Sequence, residues 1–596
     1  MRDKWKWLAL FGAGVILLAG CAGQADPESL AEPSESAAET AGDYVEKETA
    51  SLEDFHLRDK AAVYEDDDED SLVTMYLTVR EGNSAENTDH TWTEINTYSK
   101  YWYENNNIPQ YMTEAILQVG DENGPLQGEV GYGEIVPNAT VKIRGQSSTE
   151  RVQKNYKIEL KEGKGEWRGQ RTINLNKHGG EGLRYRNKLA YDLMKDIPQM
   201  MAARTQFVHL YVKDETAGGS GVFEDYGLYT QVEQMNKTYL KTHGLDNNGH
   251  MYKIEFFEFM RYEDAIKLAT DPTYDADLFE DYLEIKGDDD HSKLIAMLED
   301  VNDYSIPIEE TVEKWFDTEN IFYWMGFHIL MGNEDTQSRN YYLYSPLNMD
   351  KFYFISWDND GMLNAQEEEV RGVQGHRGSW EDGIGNYWGS VLFQRMFRIP
   401  EYREGLTQAI EDLRAQYLTA DRIRELTDLY RPVVKPFVYQ MPDIMYAQLT
   451  ETEYEVVANG LPNGVEENYL AYLESLEKPM PFYIGIPENV DGKLKIGWEV
   501  AYDFDSENIS YQVEVASDYL YQNKLYSQEG LRIPEIEMDM LPPGQYFVKV
   551  LAVNESGKSQ TAFDYYSIDG EKIYGTKCFY VLEDGTIEQD VYVEGE

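Results

Sequence analysis

Alternation of apolar and polar side chains places the first strand at 72–79 (Leu-Val-Thr-Met-Tyr-Leu-Thr-Val), and the same period of two recurs at 114–119, 139–143, 155–160 and 207–212. A β-rich lobe therefore opens the folded part of the chain. The period lengthens to that of a helix at 186–195 and from 239 onward, and 309–330 carries an apolar stripe long enough for one amphipathic helix. Segments 341–344 and 352–357 are short and aromatic, which predicts a hairpin, and 392–476 reads as mainly helical. Beyond about 480 the chain turns to short alternating runs at 494–500, 510–516 and 546–553, separated by Gly, Asn, Asp and Pro turns, the spacing of a small β-sandwich. The expected architecture is an α+β domain over 71–476 followed by an all-β sandwich over 480–596.

Two segments precede that architecture. A basic start, Met1-Arg-Asp-Lys-Trp-Lys, leads into an apolar run at 8–18 that is too short to span a bilayer as a helix, so 1–21 reads as an export signal. Its end, Leu17-Leu18-Ala19-Gly20-Cys21, resembles a bacterial lipobox, which implies a lipid on Cys21 and attachment to the extracellular face of the cell membrane. Cys578 is then left without an intramolecular disulfide partner. Residues 22–70 hold 17 acidic against 3 basic side chains and few large apolar ones, the composition of a solvated, disordered tether.

Charge narrows the function. With 53 Lys+Arg against 109 Asp+Glu among 596 residues, the net charge of −56 excludes a nucleic-acid binder that works by neutralising phosphates. Two cysteines exclude a disulfide framework and a clustered Cys-type zinc site. Walker, nucleophile-elbow, His-Glu-x-x-His and dinucleotide-binding motifs are all absent.

What remains is an ordered set of carboxylates and amides. Asp335 and Asn340 stand five residues apart, the separation of the catalytic Asp and metal-binding Asn in the protein-kinase catalytic loop. The expected hairpin then delivers Asp358 and Asp360 in Trp357-Asp-Asn-Asp-Gly361, oxygen donors suited to Mg²⁺. A calcium loop fits this turn poorly: Ser356 replaces the first Asp of an EF-hand, although Glu367 stands at its twelfth position, and a strand precedes it. Upstream, Val141-Lys-Ile-Arg144-Gly145-Gln146-Ser147-Ser148 is a strand running into a turn of open N–H groups and hydroxyls, followed by Lys154-Asn-Tyr156-Lys157, and could cradle phosphates.

These blocks, together with Leu183-Arg-Tyr-Arg186-Asn187, Tyr226-Gly-Leu-Tyr229-Thr-Gln-Val-Glu233 and Met251-Tyr-Lys253, occur in the order of the CotH family, which the chain resembles over about 72–449. The family is named for spore coat protein H, and its members are atypical protein kinases that use ATP and a divalent metal to phosphorylate serine-rich proteins. The resemblance implies Asp335 as the catalytic carboxylate and Asn340, Asp358 and Asp360 as ligands to Mg²⁺ or Mn²⁺. It implies Lys154 on the phosphates, Arg144 and Ser148 near the nucleotide, and Glu233 paired with the strand lysine, Lys157 being the competing choice for that lysine. His178-Gly-Gly-Glu-Gly stands where the family often has an Asp-rich loop. In the C-terminal part, Trp498 and Leu541-Pro-Pro-Gly-Gln-Tyr546 resemble a fibronectin type III domain, with Tyr546 at its tyrosine corner.

A second reading is a non-enzymatic surface protein that binds protein or carbohydrate, supported by the fibronectin-like module and by the aromatic group Trp92, Tyr98, Tyr101, Trp102 and Tyr103 among amides. A glycosidase ranks last, since no carboxylate pair is singled out by spacing.

Overall fold

A computed structural model describes residues 56–373, 378–568 and 571–589; the export signal, Cys21 and most of the expected tether lie outside the described residues. The folded unit begins at His56, so 56–70 is not tether. Its acids have partners far along the chain: Asp59 pairs with His243 at 2.7 Å, Glu69 with Lys195 at 2.9 Å, and Asp67 with Arg168. Composition counts charges but cannot see such partners.

The first sheet closes on itself. Strands Leu72–Arg80, Thr205–Asp214, Phe223–Glu233, Thr172–Asn176, Asn155–Leu160, Ala139–Arg144 and Thr113–Asp121 neighbour one another in that order, and Thr113–Asp121 pairs back onto Leu72–Arg80. The Leu72–Arg80 and Thr205–Asp214 pair is parallel. Alternate residues Val141, Ile143, Tyr156, Ile158, Leu175 and Leu210 fill the interior. Their neighbours Lys142, Arg144 and Lys157 therefore face outward, in the register Lys142 opposite Lys157 and Arg144 opposite Asn155.

A second, four-stranded antiparallel sheet joins Leu283–Ile285, His250–Ile254, Tyr341–Ser345 and Tyr353–Ser356, confirming the expected hairpin. Helix Thr318–Met331 packs behind it, with Trp324 buried against Tyr341, Phe354 and Phe393. The single helix expected at 309–330 is two, Ile308–Trp315 and Thr318–Met331. Phe316 is extended, and Asp317 restarts the helix by accepting the Asn320 N–H at 3.2 Å, the bond that defines an N-cap. The helix expected from 239 is only Lys237–Thr242. Helices Pro400–Gln416, Ala420–Val438 and Glu451–Glu477 account for most of the later helical stretch. No helix among the described residues is long and apolar enough to cross a membrane.

Among the described residues from 480 onward every regular element is a strand. A three-stranded sheet and a larger one enclose a core of Ile496, Trp498, Tyr511, Val513, Val548 and Phe579. Tyr546 donates its hydroxyl to the Pro542 carbonyl at 2.8 Å, the backward bond a tyrosine corner makes.

Candidate functional site

The site lies where the outward face of the closed sheet meets the hairpin end of the second sheet. Arg144 leaves strand Ala139–Arg144 on that face, stacks its guanidinium 5.9 Å from the Trp357 ring and donates to Asn176 Oδ1. Gly145 turns the chain with φ of 100°, and a Cβ there would sit 2.1 Å from Ser148 Oγ, so only glycine lets the turn close. Ser148 Oγ in turn accepts from Asn155 Nδ2 at 3.2 Å.

Asp358 and Asp360 follow strand Tyr353–Ser356 on a turn. Asp358 accepts no hydrogen bond through its carboxylate from any described residue, whereas Asp360 lies 3.5 Å from His178 Nδ1. Burial, then the neighbouring Asp360 charge, pushes the Asp358 carboxyl up to about 7, with Arg144 pulling the other way. Burial also raises Asp360, but His178 beside it outweighs that and holds it below the usual carboxylate range. Arg151 extends the cationic rim: its guanidinium lies over Gly180, where a Cβ would meet Nη1 at 2.1 Å. Three non-glycine residues around the turn, His178, Asn340 and Asp358, take positive φ of 50°, 62° and 57°. Such backbone strain concentrates at functional sites.

Beneath the turn runs a buried polar chain that sequence reasoning missed. His328 Nε2 bonds to Ser356 Oγ, Asn333 Nδ2 lies 3.3 Å from His328 Nδ1 and 3.3 Å from Asn359 Oδ1, and the Asn359 N–H donates to Asn187 Oδ1 at 3.2 Å. Burial alone drives the His328 imidazole down to about 3, so it is neutral and acts as a fixed hydrogen-bonding strut. These residues are brought together by the fold from three separate segments, and no spacing within one segment marks them as a set.

The sequence-derived residues divide. Arg144, Ser148, Asp358 and Asp360 are set around one cleft, and the Asn340 carbonyl accepts the Trp357 N–H at 3.1 Å, tying the loop end to the hairpin. Asp335 stands on the turn Glu334–Thr336, exposed, with Arg339 Nη2 donating to it at 2.6 Å. Lys154 is a correction. It shares the inward parity of Tyr156 and Ile158, is buried, and donates Nζ to the Thr149 carbonyl at 2.5 Å, holding the turn from inside while Lys157 faces outward from the closed sheet.

Glu233 is a second correction. It pairs with Arg204 at 2.6 Å, not with a strand lysine, and also accepts from Gln170 Nε2 at 2.8 Å, with His243 Nε2 3.2 Å away. It is a buried structural hub. Glu367, the residue at the EF-hand's twelfth position, is buried against Arg186 at 2.7 Å and so is no calcium ligand. The aromatic group of the second reading packs on itself, with Tyr98 stacked on Trp102 at 3.9 Å and edge-on to Tyr103 at 6.2 Å.

Lys142 and Lys157 stand directly opposite each other on neighbouring strands. Like charges directly opposite destabilise a sheet, yet here they sit together in a protein of net charge −56. Lys157 has Glu159 at 3.4 Å, while Lys142 has no ion-pair partner among the described residues, and burial followed by the Lys157 charge lowers its ammonium.

No curated protein matches the chain. The family model described as CotH kinase protein matches residues 141–470, which runs from the strand carrying Arg144 to the last long helix and takes in the whole cleft; the chain belongs to this family.

Proposed function

We propose that the protein is a phosphotransferase of the kinase type, moving the γ-phosphoryl group of ATP to Ser or Thr hydroxyls of a serine-rich surface or secreted protein. In this reading it works at the extracellular face of the membrane, held by a lipid on Cys21, with the β module from 480 as a fibronectin-like accessory. The observation that carries it is the facing of Arg144 on the closed sheet, held over the Trp357 ring, with the Asp358–Asp360 turn that follows the second sheet's hairpin. Cations on one wall suit phosphate oxygens, and carboxylates on the other suit a divalent ion.

The donor set fits Mg²⁺ or Mn²⁺. The carboxylates of Asp358 and Asp360 and the amide oxygen of Asn340 are hard oxygen donors, and the ion's charge would offset the burial and the Asp360 charge that together raise Asp358. Asp358, Asp360 and Asn340 would hold the ion, which would supply positive charge against the phosphates. Arg144 and Lys157 orient the phosphates, and the Gly145–Ser148 turn presents its N–H groups to them. Asp335, once turned from Arg339, accepts the hydroxyl proton of the acceptor and aims its oxygen in line.

The test is transfer of the γ-phosphoryl group to a Ser-rich acceptor by the wild type beside Asp358→Ala. Metal-dependent incorporation that the substitution abolishes supports the reading, and equal incorporation by both proteins overturns it.

A further inference from the structure

Residues 378–388 lie between two parts of the fold that sequence treats as separate domains. On one side they grip the C-terminal β module. The Trp380 ring meets Phe563 edge-on at 5.0 Å and Tyr574 at 5.9 Å, Tyr574 donates its hydroxyl to Glu381 Oε1 at 2.8 Å, and Ser379 Oγ bonds to Gln560 and Thr561. At the far end Trp388 stacks on Tyr502 at 5.5 Å. On the other side the same segment holds both neighbours of Asp335. Asn386 Nδ2 donates to the Glu334 carbonyl at 3.0 Å, and the Tyr387 and Thr336 hydroxyls bond at 2.9 Å.

The grip is tight. Asn386, Tyr387 and Thr336 are all buried, and the Ile384 N–H donates to Ser475 Oγ at 3.1 Å. Gly383 takes φ of 65°, and a Cβ there would fall 2.2 Å from Ser475 Oγ, so the segment has one seat against helix Glu451–Glu477. A displacement at Trp380 or Glu381 therefore passes to 386–387 and so to the Asp335 turn, because packed interiors transmit strain.

We infer that the C-terminal β module is a positioning element for the Asp335 turn, acting through 378–388, with Trp380 and Tyr574 as its positioning residues. This rests on the phosphotransferase reading for its consequence in catalysis, but its structural part stands apart from that reading. In protein kinases the segment after the metal-binding turn is likewise where activity is set. Here the setting is built in, supplied by the module of the same chain.

The experiment uses the chain from Cys21 onward as wild type, Tyr574→Phe, Trp380→Phe and Trp380→Ala, and follows amide hydrogen exchange across 334–340 together with phosphoryl transfer. Tyr574→Phe removes one hydroxyl and keeps the ring. Exchange across 334–340 is expected to quicken about 2- to 10-fold, the change in opening equilibrium that one lost hydrogen bond gives. Trp380→Ala should exceed this and Trp380→Phe restore most of the protection. In transfer assays kcat falls by a similar factor while KM for ATP is unchanged, a split that global loosening does not produce. Unchanged exchange across 334–340 in both Tyr574→Phe and Trp380→Ala, with both proteins folded, overturns the inference. A wild type without transfer activity whose variants still show the exchange change overturns only the kinase reading.

Discussion

Glu367→Ala probes the ion pair that ties the loop after His178 to the helix after the Asp358–Asp360 turn. Arg186 and Glu367 are each 1% exposed, Arg186 Nη1 donates to Glu367 Oε2 at 2.7 Å, and the same carboxylate accepts the Gly182 N–H at 3.0 Å. Truncating Glu367 leaves the guanidinium buried with Glu181, 4.0 Å from Nη1, as its remaining counter-charge and with Nε and Nη2 already lacking partners, and takes the acceptor from a buried amide. Breaking a buried pair costs about 3–5 kcal/mol, and an orphaned amide about 1–3 kcal/mol. Glu181 offsets part of the first loss and the two losses share one space, so the expected destabilisation is about 3–5 kcal/mol. The Arg371 contact at 3.4 Å reaches solvent and contributes little.

Thermal and denaturant unfolding of the single variant, of Arg186→Met and of Arg186→Met/Glu367→Leu measures this. The double variant removes both charges in favour of apolar volume and should lie within about 2 kcal/mol of wild type, while each single variant lies well below it. A Glu367→Ala loss under about 1 kcal/mol, or a double variant no more stable than the singles, refutes the reasoning.

Gly227→Ala should destabilise by about 3 kcal/mol in a melting measurement: φ there is 74°, and a Cβ would press to 2.2 Å from Asp443 Oδ2, displacing a carboxylate that pairs with buried Lys177 at 2.7 Å. The Asp59, His243 and Glu233 group predicts a pH profile of stability. Asp59 and Glu233 overcome burial to raise His243 to about 9, and His243 with Arg204 overcomes burial to lower Glu233 to about 2. The histidine's contribution is whole below its unfolded value of 6.5 and is lost as pH rises through about 9, while the glutamate's is whole above 4.5 and is lost as pH falls towards 2. Melting temperatures should therefore decline above pH 6.5, and Asp59→Asn should flatten that decline. Lys157→Gln should weaken binding of a fluorescent ATP analogue with Mg²⁺ about tenfold, with Lys154→Gln lowering stability and leaving affinity nearly unchanged; equal losses of affinity in the two would place Lys154 back in the cleft.

Strands were legible where one face is buried, since alternation at 72–79, 139–143 and 155–160 follows directly from a filled interior. Closure of the sheet was not, because it depends on Leu72–Arg80 pairing with both Thr113–Asp121 and Thr205–Asp214, a long-range fact with no local signal. The break at Asp317 was in the sequence as an N-cap residue but lay within an unbroken apolar stripe. At the site, parity along a strand told that Lys154 and Lys157 face opposite ways but not which way was the cleft. Glu233 stood in a motif and reads as chemistry, yet its partner Arg204 precedes it by a whole strand pairing.

The central claim is tested most directly by γ-phosphoryl transfer from ATP, with Mg²⁺ or Mn²⁺, to the protein itself and to a Ser-rich acceptor, for the chain from Cys21 onward beside Asp335→Ala and Asp358→Ala. The account predicts metal-dependent incorporation into serine or threonine that both substitutions abolish while the fold persists. Incorporation that survives both, or a folded wild type that neither transfers phosphate nor binds nucleotide in the presence of metal, contradicts it.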